Sequence, residues 1–376
     1  MGPIPLLLHG RHGGPTVTYR RFHRWIVPWR FTSLTEEYDA LRAGLGLIDV
    51  STQGVIEVRG HDRLSFLNAL LTNDLKRIAP GSARGAALLD ASAKLVADVL
   101  VINDPDVVWL LCDIDHAATV AQVLERYHVS EDVAVINHER SHAILALEGP
   151  EAMRGFRELV GASAAASLKR PGQQIMIEWE QIPARFVRQS WIGGDGLLCL
   201  VPAQAAPLVW NLLGRAGEPL GLRFVGWEAL NIARIEAGIP WIDVDMDATN
   251  LLPETGLVPR LVSDTKGCYL GQEIIARLQT YGSMSKRLMH LVIEGDRVPE
   301  PGDQIVSHGH DPEEPLGQVT SACSSVALAR PLAMGYVKRG AYAPGTRVEI
   351  VSGATRVPAM VSERLLAFPI TPLRSP

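Results

Sequence analysis

The cysteine at position 268 has the surroundings best suited to chemistry, in the run Lys266-Gly267-Cys268-Tyr269-Leu270-Gly271-Gln272-Glu273. Gly267 and Gly271 let the backbone turn sharply and leave little bulk around the thiol. Gln272 to Leu278 reads as the opening of a helix that carries Arg277, with Ile274, Ile275 and Leu278 on one face. A sulfur just ahead of a helix N-terminus and beside Lys266 is favoured as thiolate, the state required of a nucleophile or metal ligand. The competing reading is a small core residue in a glycine-rich turn. Cys112 and Cys199 fall in apolar β-like runs and Cys323 in a strand or its end, so these three read as structural.

Asp98 is the second candidate. In Val96-Ala97-Asp98-Val99-Leu100-Val101-Ile102 both faces of the expected strand are apolar, and a carboxylate there is costly to bury without a partner or a task. It either bonds an N–H of a heterocycle or acts as an acid or base in a pocket, or it pairs with an arginine at the sheet edge. Arg234 and Glu236 lie near the end of a helix ahead of Gly238-Ile239-Pro240. Arg234 either meets an acidic ligand in a cleft or pairs with Asp243 or Asp245.

The elements that must position these residues follow from periodicity. Glu36 to Ala43 is helical, and Ile48 to Val58 is extended, with Gly54 marking a bulge or turn. Leu64, Leu67, Leu70 and Leu71 recur at helical spacing behind Asp62, a candidate N-cap. Ala86 to Leu89 and Leu95 to Ile102 flank a tight turn at Asp90-Ala93, and Val107 to Cys112 is a further strand. Ala117 to Tyr127 is a helix and Ala143 to Leu147 a strand. Phe186 to Gln189 and Leu197 to Val201 flank the turn-rich run Trp191-Gly196. Helices follow at Ala203 to Leu213 and Trp227 to Ala237, the second ended by Gly238 and Pro240. The alternation gives an α+β layered fold.

After about Arg287 proline and glycine become frequent, and short β-rich pieces recur at Gln304–Ser307, Gly317–Thr320, Met334–Val337, Thr346–Val351 and Val357–Val361. That pattern is a small all-β barrel or sandwich of roughly 85 residues. The expected organisation is an N-terminal extension over 1–35, an α+β domain over 36–285 and a β-barrel domain over 286–376.

With 376 residues, 47% hydrophobic, 20% charged and a net charge of −5, the chain is an ordinary soluble type, and nothing overall favours nucleic acid or anionic membrane as partner. No apolar run approaches the roughly 18 residues that span a bilayer. The four cysteines are far apart and form no C-x-x-C or Cys/His cluster, so no local metal knuckle is expected. Sparse cysteine fits a reducing, cytoplasmic compartment. The first 35 residues hold five arginines and three histidines and no acidic residue. Such a composition suits a disordered arm, an over-extended start or a mitochondrial transit peptide.

Taken together, the cysteine run, the following Ala276-Arg277, the upstream Arg234-Ile235-Glu236-Ala237-Gly238-Ile239-Pro240 and Leu71-Thr72-Asn73-Asp74 resemble the YgfZ family, which includes a mitochondrial iron–sulfur assembly factor. The similarity extends over roughly Glu36 to Phe368 to the wider glycine-cleavage aminomethyltransferase superfamily, including Gly317-Gln318-Val319-Thr320-Ser321. The resemblance implies two α+β subdomains around a central opening that holds tetrahydrofolate or a one-carbon derivative, plus a C-terminal β-barrel. It implies folate contacts from Asp98, Asn73 and Arg234, and a role for Cys268. One departure stands out: Ile192-Gly193-Gly194-Asp195-Gly196 is similar to a transferase turn that carries glutamate where Gly194 stands.

The function this resemblance implies is a folate-binding factor that supports assembly or repair of iron–sulfur clusters, for enzymes such as those that modify tRNA. Cys268 would be a redox-active sulfur or a transient ligand to a cluster shared with a partner protein, because one cysteine cannot supply the usual four ligands. The alternative is a tetrahydrofolate-dependent aminomethyltransferase or demethylase. The first expectation requires Cys268 to be accessible at the mouth of a pterin-sized cavity.

Overall fold

The computed structural model describes residues 4–13, 16–282, 284–308 and 315–363. Two antiparallel-rich sheets carry the body. In the first, strands run in the spatial order Ser82–Leu89, Leu95–Asn103, Val107–Asp113, Gln53–Arg59 and Ala134–Asn137. In the second, the order is Gln174–Trp179, Ile182–Val187, Gly196–Pro202, His142–Glu148, Leu45–Asp49 and Leu222–Phe224. Helix Ile114–Tyr127 covers the first sheet, and helices Ala152–Val160 and Ala206–Gly217 cover the second. Residues from both sheets, among them Val55, Leu111, Ile48 and Leu198, then meet in a shared core. The α+β architecture with a barrel is therefore as the sequence indicates.

The barrel is closed, with strands in the order Lys286–Ile293, Arg330–Lys338, Gly317–Ser325, Gln304–Ser307, Arg347–Ser352 and Thr355–Ser362. Closure pairs every strand on both edges and leaves no open ladder. Its first strand, Lys286–Ile293, was not read from the sequence, although it begins where the composition shifts.

Strand Leu95–Asn103 shows how local pattern places the site. Leu95, Ala97, Val99 and Val101 alternate inward and are buried, with Ala97, Val99 and Val101 in the core beneath helix Ile114–Tyr127. The period of two then turns Asp98 and Leu100 to the other face.

Three expectations need correction. Asp62 does not cap helix Arg63–Leu70 through its side chain; its carboxylate instead accepts from the Asp132 backbone N–H at 2.9 Å, and so holds the chain reversal there. Gly54 is neither bulge nor turn. It lies in regular register within Gln53–Arg59, and a Cβ there would sit 2.8 Å from Ala117 Cβ, so glycine lets the covering helix approach. The break falls instead at residues 50–52.

The third correction concerns residues 1–35, expected as an extension or disordered arm. Ile4–Pro5, Thr18–Phe22 and Trp25–Arg30 form a three-stranded sheet. Leu6, Leu8, Trp25, Val27 and Phe31 are buried in the body's cores. His12 reaches Asp49 at 2.9 Å with both side chains fully buried. Arginines and histidines mask the alternation of Tyr19, Trp25, Val27 and Trp29, which is why composition misleads here.

Candidate functional site

A cavity of about 420 Å³ opens on the face of the first sheet that carries Asp98. Asp98 lines it. Among the described residues, no ion pair and no side-chain hydrogen bond joins its carboxylate to another residue. Burial pushes the Asp98 pKa up, opposed more weakly by Arg260 and His116 nearby. The desolvation works in both directions, since burial also lowers the pKa of Arg260, which lines the same cavity. A half-buried carboxyl left unmatched by the described residues is a group poised to meet a ligand.

Asn73 also lines the cavity, and its Nδ2 donates to the Gly85 carbonyl at 2.8 Å. The preceding Thr72 is fully buried, with its hydroxyl accepting from the Ala87 N–H at 2.8 Å and donating to the Leu261 carbonyl at 2.5 Å. Leu71-Thr72-Asn73-Asp74 is thus a fixed seam between the sheet and the segment that leads to the cysteine run.

The turn 190–196 forms another part of the cavity wall. Its shape depends on Glu148, which the sequence reading missed. Glu148 is fully buried and accepts from the Trp191 N–H at 2.6 Å and the Ser190 hydroxyl at 2.7 Å. Ser190 Oγ in turn accepts from the N–H groups of Ile192 and Gly194, each at 3.1 Å. Burial raises the Glu148 pKa to about 8, against the lowering effect of those two donors. Gly194 is exposed on this wall, and a Cβ built there meets nothing within 4 Å. The space beside Gly194 is open.

Arg234 belongs elsewhere, and its reading as a folate contact is corrected. It is 1% exposed, does not line the cavity, pairs with Asp245, and donates to Ser321 Oγ at 2.7 Å and Asn231 Oδ1 at 2.9 Å. Glu236 accepts from Ser325 Oγ at 2.7 Å and the Tyr38 hydroxyl at 2.6 Å. Ser321 and Ser325 are barrel residues, so Arg234-to-Gly238 and Gly317-to-Ser321 are the joint between domains. Charged groups buried together in such a joint fix relative orientation more than they stabilise.

The cysteine run is split between structure and surface. Tyr269 and Ile275 are buried in a core with Leu89, Leu95 and Leu252. Burial pushes the Tyr269 hydroxyl up to about 12. Gly271 has φ +81, and a Cβ there would lie 3.0 Å from the Asp90 carbonyl, so the run packs its backbone on the turn before strand Leu95–Asn103. Helix Gln272–Tyr281 starts directly after it; Gln272 is half-buried, while Glu273 and Arg277 are exposed.

Cys268 and Gly267 are exposed, and the other three cysteines are buried. Cys268 lies in its own shallow depression with Ser65, Asn68, Asp74, Lys76 and Arg77, not at the mouth of the Asp98 cavity. The 71–74 seam contributes Asn73 to the cavity and Asp74 to the depression. Lys266 does not hold a thiolate either. Its ammonium is buried and donates to the backbone carbonyls of Asn68 at 2.6 Å, Asn73 at 3.0 Å and Leu71, while burial lowers its pKa to about 8.

The sequence reading also missed much of the cavity wall. Phe22 and His23 come from the N-terminal sheet, and Trp241 and Asp243 from the loop after Pro240. Asp113 lines the wall too, while its carboxylate accepts from the Asp115 N–H at 2.9 Å to cap helix Ile114–Tyr127. Burial raises its pKa to about 7. A signal for these residues existed in the aromatic side chains of residues 19–25 and in Trp241 with the two aspartates of residues 239–245, but nothing local says that the two segments meet.

Comparison with known proteins bears on the family and the fold. Residues 8–263 match the GCVT N-terminal domain and residues 286–366 the glycine cleavage T-protein C-terminal barrel domain. The chain is 29% identical over 348 residues to an aminomethyltransferase of Streptomyces avermitilis, covering 92% of each chain. It is 28% identical over 356 residues to one of Geobacillus thermodenitrificans, covering 94% of each. The crystal structure of the glycine cleavage system aminomethyltransferase T from Bartonella henselae superimposes with a TM-score of 0.83 at 22% identity, covering 96% of each chain, which is a likeness of fold. The protein belongs to the family defined by the GCVT N-terminal domain and its C-terminal barrel.

Proposed function

We propose that the cavity binds a reduced folate, tetrahydrofolate or a one-carbon derivative, and that the protein works in one-carbon transfer. The observation that carries this reading is Asp98, a half-buried carboxyl with no ion pair or side-chain hydrogen bond among the described residues, on the wall of a cavity of about 420 Å³. A pterin ring offers N–H donors beside ring acceptors, and a carboxyl of raised pKa can meet it charged, as acceptor, or protonated, as donor. Bound tetrahydrofolate supplies a nucleophilic ring nitrogen able to carry a one-carbon unit. Asp98 orients that heterocycle and holds or releases a proton beside it. Asn73 and the Glu148-braced turn shape the walls and limit water. The aminomethyltransferases that the chain matches along nine-tenths of its length support one-carbon chemistry.

A second reading is support of iron–sulfur cluster assembly through Cys268. It is favoured by the exposure of that thiol alone among the four cysteines and by the open space at Gly194. Among the described residues no group of three or more His, Cys, Asp or Glu side chains could hold a metal ion, so a cluster would take its remaining ligands from a partner.

Complementation of a strain lacking its own YgfZ-type protein, read out by the activity of a cluster-containing enzyme, separates the two, with tetrahydrofolate binding measured by calorimetry on each purified variant. Loss of folate binding in Asp98→Ala with folding intact is the result expected from the first reading; unchanged binding overturns it. Failure of Cys268→Ser to rescue, with folate binding retained, is expected from the second; full rescue removes it.

A further inference from the structure

We infer that the same cavity contains a cation subsite, walled by the aromatic rings of Phe22, Trp191, Trp227 and Trp241 with the carboxylates of Asp113 and Asp243 beside them, and that it takes a methylated ammonium group. All six residues line the cavity. This deepens the folate reading by naming what lies next to the folate, but the binding claim itself stands on the rings and carboxylates.

The rings form a corner rather than a stack. Phe22 and Trp241 have centroids 5.7 Å apart with planes at 85°, Trp191 and Trp241 are 5.8 Å apart at 71°, and Trp227 and Trp241 are 5.5 Å apart at 63°. Phe22 and Trp227 close the group at 5.3 Å. Rings inclined in this way do not stack their faces on one another, and a π-face that reaches the cavity attracts a cation. Trp241 already carries one, the Arg234 guanidinium at 4.6 Å from its centroid, whose charge is answered by Asp245.

Among the charges nearby, Asp243 is the carboxylate held in its charged form. Asp243 pairs with His116 at 2.8 Å, and that partner holds its carboxyl below the usual range. Asp115 is compensated by Arg24 at 3.1 Å, while Asp113 and Asp98 have no ion-pair partner among the described residues and burial favours their protonated forms. His23, next to Phe22, has its pKa lowered by burial and adds little positive charge at neutral pH. Two of the cavity's arginines are committed elsewhere, Arg188 to Asp195 at 2.9 Å and Arg84 to the Asp74 carbonyl at 2.7 Å, while Arg260 feels the charge of Asp98. A primary ammonium would give up a tight hydration shell for few acceptors here. A methylated ammonium presents an apolar, weakly hydrated cationic surface, which suits rings better than hydrogen-bond acceptors.

The test is titration of the full-length protein with choline and with 3,3-dimethylbutan-1-ol, its neutral isostere, followed by calorimetry and tryptophan fluorescence. Choline is expected to bind about tenfold more tightly than the alcohol, or better. Asp243→Asn and Phe22→Leu should each weaken choline about fivefold, with the first leaving the alcohol unchanged. Equal binding of choline and alcohol, binding of neither, or choline binding unaltered in both folded variants overturns the proposal. Choline binding without tetrahydrofolate binding in the same preparation rejects the folate reading and keeps this one; the reverse rejects only the cation subsite.

Discussion

The buried ammonium of Lys266 lies 3.0 Å from the carbonyl of Asn73, a residue 193 positions earlier whose side chain lines the cavity. Two further carbonyls, of Asn68 and Leu71, share the same ammonium. The cysteine run and the cavity wall are therefore one mechanical unit although Cys268 and Asp98 line different depressions.

Replacing Lys266 with methionine keeps the length of the side chain and removes the donors. Three carbonyls then lose their common partner, and the variant is expected to be less stable by ~3 kcal/mol, read from urea unfolding. Tetrahydrofolate affinity should fall as well if the seam holds the wall in place. An unchanged unfolding midpoint would show that water replaces the ammonium without cost.

Glu148 gives the fold a pH dependence of definite sign. Its pKa is raised by burial from 4.5 to about 8, so the folded state keeps a proton that the unfolded state gives up. The stabilisation is full below pH 4.5 and is lost as pH rises to about 8, in all ~5 kcal/mol. Unfolding free energies measured across that window should fall with pH in the wild type and much less in Glu148→Gln. A smaller slope of the same sign should persist in the variant from Asp113, whose pKa is raised to about 7.

Gly194→Glu restores an acidic side chain to the turn. The position has no positive φ, and its Cβ direction is open, so stability should stay within ~0.5 kcal/mol of wild type. If the turn faces a bound pterin, calorimetric affinity for tetrahydrofolate should rise about tenfold through one charge-assisted hydrogen bond. No gain would place the pterin elsewhere in the cavity.

His12→Ala removes the donor that faces Asp49 at 2.9 Å in the interior. The stranded carboxylate should cost ~3 kcal/mol in chemical denaturation. That loss would also demonstrate in solution that the N-terminal segment is part of the folded body.

Much of the architecture was determined by the sequence itself. The alternation in Leu95–Asn103, the helix ended by Gly238 and the proline- and glycine-punctuated strands after Arg287 are local patterns, and a local pattern fixes which face of an element is buried. Asp98 was legible for the same reason: a carboxylate in an otherwise apolar strand is a conspicuous cost. The convergence of distant elements was decided only in three dimensions. Arg234 finds Asp245 and Ser321 instead of a ligand, Lys266 turns to the carbonyls of residues 68–73 instead of the thiol, and Phe22 crosses from an apparently loose terminus to stand beside Trp241. Each of these contacts joins segments whose separation in the chain leaves no periodic trace. A charged or aromatic side chain takes whichever partner the packed fold brings within reach.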